Sequence, residues 1–171
     1  MGQALLLTGA PGTGKTTIIR EAIAASKGKA GGFYTQEIRE GGVRKGFEIV
    51  TLDGARAFLA HVDIRGAHRV GKYGVDMASL DKVAVPALRQ SIRGCDIVVV
   101  DEIGKMELQS SVFKDAVVEA LNSEKRLVGT IMLQPHPFAD QIKRDARVQV
   151  LLVSKANRQQ VLNKVTEWLQ T

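Results

Sequence analysis

Nine consecutive residues, Gly9-Ala10-Pro11-Gly12-Thr13-Gly14-Lys15-Thr16-Thr17, constrain this chain more than any other stretch. With Thr8 just before them, they fit G-x-x-x-x-G-K-[ST], the pattern of a loop that cradles phosphates. Glycine at positions 12 and 14 gives the backbone conformations that a side chain would block, so that successive N–H groups converge on an anion. Lys15 supplies a point charge for β- and γ-phosphates, and the Thr16 hydroxyl is a ligand for a magnesium ion bridging them. The pattern needs a strand before it and a helix after it. Ala4-Leu5-Leu6-Leu7 is a short apolar run, and Ile18, Ile19, Ala22 and Ile23 recur at helical spacing, so a helix N-terminus faces the same anion.

Length and composition narrow the setting. The 171 residues suit one domain, residues 1–171, with a sizeable core. Hydrophobic residues at 44% and charged residues at 25% are ordinary for a soluble globular chain. No apolar run approaches the roughly 20 residues that span a bilayer, and residues 4–7 are too short for the core of a signal peptide. A lone Cys95 excludes an internal disulfide framework and fits a reducing cytoplasm. The net charge of +6 suits a polyanionic partner, either a nucleotide or a nucleic acid. The basic residues are scattered, however, and aromatics at 5% leave few stacking platforms for a single strand.

Along the chain, strand-like segments at residues 33–38 and 46–52 flank a hairpin signal, Glu40-Gly41-Gly42. Residues 55–60 add a further strand, making a β-rich insertion over about 33–60. Residues 61–78 read as a long irregular connection. A helix follows from Ser79 to Gly94, with Pro86 predicting a kink or a late start. Ile97-Val98-Val99-Val100 is the continuous β-branched run of a parallel strand buried on both faces. Helices over 112–121, 137–144 and 161–169 then alternate with strands over 127–132 and 148–153. That alternation predicts an α/β architecture: an open, mostly parallel sheet with helices on both faces and ligand at the carboxyl ends of the strands.

The buried run ends in Asp101-Glu102. An acid in that place holds magnesium, usually through a water, and Asp101 takes that role. Glu102, pointing elsewhere, is the candidate that orients or deprotonates the water attacking a γ-phosphate; its alternative is a solvated strand-end carboxylate. Glu107 either buttresses this loop or begins the next helix. P-loop proteins with a glutamate beside the magnesium aspartate resemble one another in carrying an extra strand between the phosphate-loop strand and the aspartate strand. Here that strand is expected at residues 127–131, with Thr130 a candidate contact for the γ-phosphate or the water.

Taken together, the phosphate loop, the segments 32–39 and 46–54, Gly71-Lys72-Tyr73-Gly74-Val75-Asp76 and Val100-Asp101-Glu102-Ile103-Gly104-Lys105-Met106-Glu107 resemble the small P-loop nucleoside-triphosphatase family over nearly the whole chain. The resemblance implies a P-loop NTPase fold and magnesium-dependent hydrolysis of ATP, GTP and other nucleoside triphosphates to diphosphate and phosphate, with broad base tolerance. Lys15 and Glu102 would be catalytic, with residues 8–17 binding the nucleotide. A kinase acting on a small acceptor and a nucleic-acid-stimulated ATPase are the alternatives. Residues 133–138 are the first place to seek base contacts. His61, His68 and His136 lack metal-ligand spacing with Cys95. No arginine lies in the phosphate loop or in 101–108. A transition-state arginine would therefore come from elsewhere in the fold, with Arg39, Arg44, Arg65 and Arg69 as candidates and the last two favoured, or from a partner.

Overall fold

Nine strands form one sheet in the order β5-β6-β4-β3-β2-β7-β8-β1-β9. The computed structural model describes residues 3–171. Its parallel half contains β1 (Ala4–Thr8), β7 (Ile97–Ile103), β8 (Arg126–Ile131), β9 (Val148–Leu152) and the first part of β2 (Ala30–Glu40). Its antiparallel half extends β2 through β3 (Val43–Thr51), β4 (Arg56–His61), β5 (Arg69–Val70) and β6 (Tyr73–Val75). β8 lies between β7 and β1, as expected for an aspartate strand followed by glutamate.

Alternation along the strands divides the core. Ala4 and Leu6 of β1, Val98 and Val100 of β7, and Leu127 of β8 face α3 (Val85–Gly94), α4 (Ser111–Asn122) and α5 (Pro137–Arg144). Leu5, Leu7, Val99 and Val128 face α1 (Lys15–Ala25) and α6 (Arg158–Gln170). Successive strand residues point to opposite faces, so a run of β-branched and leucine residues buries itself on both sides at once.

Two segments differ from the sequence expectation. The connection 61–78 contains the β5–β6 hairpin, which turns at Gly71 with φ +56°. Strands of two and three residues are too short to show a period. The helical path carrying Pro86 runs unbroken from Met77 to Gly94 and is distorted just before the proline, in place of a late start. A short α2 (Met77–Ser79) leads into a π-helical turn, Leu80–Ala84, in which Val85 N donates to Leu80 O five residues back. α3 then begins with Pro86 in its first turn, and the widened turn before it replaces the regular turn that the ring would crowd.

Phe113 of α4 is fully buried and meets the Phe33 ring edge-on, with centroids 6.1 Å apart. Phe113→Ala is expected to lower the unfolding free energy by about 3–5 kcal/mol, read from urea denaturation.

Candidate active site

The loop after β1 turns on glycine. Gly12 has φ +77° and Gly14 φ +89°, and Gly14 is the left-handed N-cap from which α1 starts. Thr13 Oγ1 donates to Ala10 O at 3.0 Å. Lys15 folds back across the loop, with Nζ donating to Gly9 O at 2.8 Å and Ala10 O at 3.0 Å. The loop thus presents an ammonium and the free N-terminus of an 11-residue helix to one place.

Three elements meet beside it. Thr16 Oγ1 of α1 donates to Asp101 Oδ2 of β7 at 2.7 Å, and Thr130 Oγ1 of β8 donates to Asp101 Oδ1. Asp101 is 2% exposed and Thr130 1%. The strand register explains the convergence: Gly129 is level with both Val100 of β7 and Leu6 of β1, so Thr130 sits at the carboxyl edge between the two. Burial raises the Asp101 pKa, while the Thr130 and Thr16 hydrogen bonds and the charges of Arg20 and Lys15 oppose that rise.

Glu102 follows through a cis peptide bond. Burial, and next the Asp101 charge, raise its pKa, against the pull of Lys15. Glu107 opens a 3₁₀ turn, Glu107–Gln109, and is 4% exposed. It does more than begin a helix, because a Cβ added to Gly104 would lie 2.8 Å from Glu102 Oε1 and 3.0 Å from Glu107 Oε2. The two carboxyl groups therefore converge on the same small residue. Burial and the facing Glu102 hold the Glu107 carboxyl well above the usual range, although Glu107 N–H and Gly104 N–H donate to it.

This geometry has close counterparts. The NTPase family model matches residues 4–166. The chain belongs to that family. Over 166 residues it is 41% identical to nucleoside-triphosphatase THEP1 of Thermotoga maritima, covering 97% of this chain and 95% of that protein. It is 38% identical to the human cancer-related nucleoside-triphosphatase, covering 100% and 98%. The crystal structure of THEP1 from Aquifex aeolicus superposes with a TM-score of 0.89 at 30% identity, covering 98% of this chain and 99% of that one.

In this member of the NTPase family, the phosphate loop, Asp101, Glu102 and Thr130 come together. The arginines singled out in the sequence do not join them. Arg39 bonds Glu37 and Gly42 O, and Arg44 bonds Glu37 and the Tyr73 hydroxyl. Arg69 donates to Ile64 O and Lys72 O, and Arg65 shares a cleft with it and Asp63 at the far edge of the sheet. Two other arginines flank the site. Arg20, four residues after Thr16, lies 4.6 Å over the Tyr34 ring and acts on Asp101 through its charge. Arg158 touches Gly14 from α6. The first follows from helical spacing once Thr16 is placed; the second has no signal in the sequence near the loop.

Glu107 carries a pH signature. Its folded pKa is raised above the unfolded value near 4.5, so its contribution to stability is complete below pH 4.5 and is lost as pH rises through the folded pKa. Without magnesium or nucleotide, Glu107→Gln is therefore expected to be more stable than the wild type near pH 7. That advantage should vanish below about pH 4.5 in denaturation curves taken across pH.

Proposed function

We propose that the protein is a magnesium-dependent hydrolase of nucleoside triphosphates, ATP and GTP among them, releasing nucleoside diphosphate and phosphate. The observation that carries this reading is Asp101 at the carboxyl edge of β7, hydrogen-bonded by Thr16 of the phosphate loop, with the buried Glu102 next to it.

The donor set fits magnesium. Thr16 and Asp101 offer a hydroxyl and a carboxylate, hard oxygen donors of the kind magnesium takes in ones and twos alongside substrate phosphates. Among the described residues no cluster of three or more His, Cys, Asp or Glu is arranged to hold a metal, which suits an ion that relies on substrate and water for its other ligands. When bound, the ion would neutralise charge on the β- and γ-phosphates.

Residues 8–17 bind the polyphosphate, chiefly through the backbone N–H groups that follow Pro11, and Lys15 places its ammonium on the β- and γ-phosphates. Glu102 accepts a proton from the water whose oxygen bonds to the γ-phosphorus as the bond to the β–γ bridging oxygen breaks. Its raised pKa makes it a stronger base than an ordinary glutamate. The proton then leaves on the phosphate product. Among the described residues no helix is long and apolar enough to cross a membrane. We place the activity in the cytoplasm, a reading supported by a single cysteine, Cys95.

Phosphate release from ATP and GTP, with no acceptor and no nucleic acid present, tests the reading. Lys15→Ala is expected to abolish turnover and weaken nucleotide binding. Asp101→Asn should raise the magnesium concentration needed for activity. Glu102→Gln should bind magnesium–nucleotide normally and hydrolyse it about 10²–10⁴-fold more slowly. A Glu102→Gln variant within about threefold of wild type would remove that residue from the chemistry, since a general base contributes far more than this.

A further inference from the structure

The N-terminus of α1 has two flanks. Thr16 and Arg20 lie on one side, four residues apart, and Thr17 and Glu21 lie on the other. The Thr16 flank faces Asp101. The Thr17 flank faces the start of α6, where Arg158 donates to Glu21 Oε1 at 3.3 Å. A Cβ added to Gly14 would lie 2.8 Å from Arg158 Nε, so the guanidinium rests directly on the phosphate loop. The segment leading to it is pinned to the same loop. Val153 N donates to Thr8 O at 2.8 Å, and Val153 O would lie 2.4 Å from a Cβ on Gly9. Asn157 fixes the turn by accepting from Ser154 N and donating to Leu152 O, both at 2.8 Å. The hydrolytic scheme uses neither Arg158 nor residues 153–157.

A triphosphate whose terminal phosphates sit at Lys15, Thr16 and Asp101 sends its α-phosphate and nucleoside off the opposite flank. We propose that the nucleoside lies against residues 153–158 and that Arg158 stacks its guanidinium on the base. This rests on the function proposed above and names the part of the substrate that the scheme leaves unassigned. The Arg158 side chain is 36% exposed and is tied by one long ion pair, so it is aimed without being enclosed. A guanidinium plane stacks on the face of any base, because every base has a π-face. Recognition of this kind supplies affinity without reading base edges, the condition for broad base tolerance.

In the segment 133–138 two residues serve the fold, while Leu133, Gln134 and Pro135 are exposed. His136 Nδ1 accepts from Phe138 N to cap α5, while Phe138 and Met132 pack into the core on the face opposite α1.

The test compares wild type, Arg158→Ala and Arg158→Lys for equilibrium binding and turnover of ATP, UTP and inorganic tripolyphosphate, each with magnesium. Arg158→Ala is expected to raise the Kd and KM for ATP about tenfold, the scale of one lost base stack, with kcat within a few fold. UTP should lose less, having the smaller ring, and tripolyphosphate affinity should stay within about twofold, since it has no base to stack. Arg158→Lys should behave like alanine toward ATP, because it keeps the charge and loses the plane. Glu21→Ala, which frees the guanidinium, should weaken ATP less than Arg158→Ala does and leave tripolyphosphate unchanged. Equal losses for ATP and tripolyphosphate would overturn the proposal, as would unchanged ATP binding or a fall in kcat at constant Kd. If the wild type bound ATP without releasing phosphate, the hydrolytic reading would fall, while the binding comparison would still decide this one.

Discussion

One buried carboxylate ties the working parts of this molecule together. Asp101 accepts hydroxyl hydrogen bonds from Thr16 and Thr130, and so joins the helix after the phosphate loop to two neighbouring strands. An ionised carboxyl group in the interior is costly unless its lone pairs are filled. The two hydroxyls fill some of them, and the charges of Arg20 and Lys15 add to their effect. Burial raises the pKa of the group, the two hydroxyl hydrogen bonds pull against that rise, and no ion pair among the described residues closes the carboxylate off. The sheet order follows from the same demand, since β8 must stand between β1 and β7 for Thr130 to reach.

The same economy of charge runs through the acids behind it. Asp101, Glu102 and Glu107 form a row in which each raises the pKa of the next, and Lys15 is the basic side chain of the phosphate loop acting on the first two. A polyphosphate entering without a divalent cation would meet repulsion from this row. On the proposed reading, a metal ion bound with the nucleotide would offset that repulsion.

Most of the parallel half was legible because each of its elements announces itself locally. The glycines at 12 and 14, the β-branched run before Asp101 and the apolar stripe of α4 are dictated by backbone geometry and burial within a few residues. The pairing of Thr130 with Asp101 was less so: the sequence marked the threonine as a site residue, but its partner depends on register between strands 29 residues apart. Arg158 was invisible because it reaches Gly14 only through the packing of α6 beside α1. The β5–β6 hairpin was missed for a different reason. Its two strands are too short to carry a pattern, and their place at the sheet edge is fixed by β4 pairing with β6.

The strand that carries the phosphate loop has no partner near it in sequence. Leu5 of β1 pairs with Val128 on one side and Gln149 on the other. A ribosome making this chain releases the nucleotide-binding motif well before the two strands that brace it. Until residues 126–152 have emerged, Leu5, Leu6 and Leu7 lack the neighbours that bury them, and the loop lacks the scaffold that sets its curvature. Contacts so distant along the chain are slow to close. A polypeptide stalled before β8 therefore carries an intact motif on a strand that lacks both of its sheet partners.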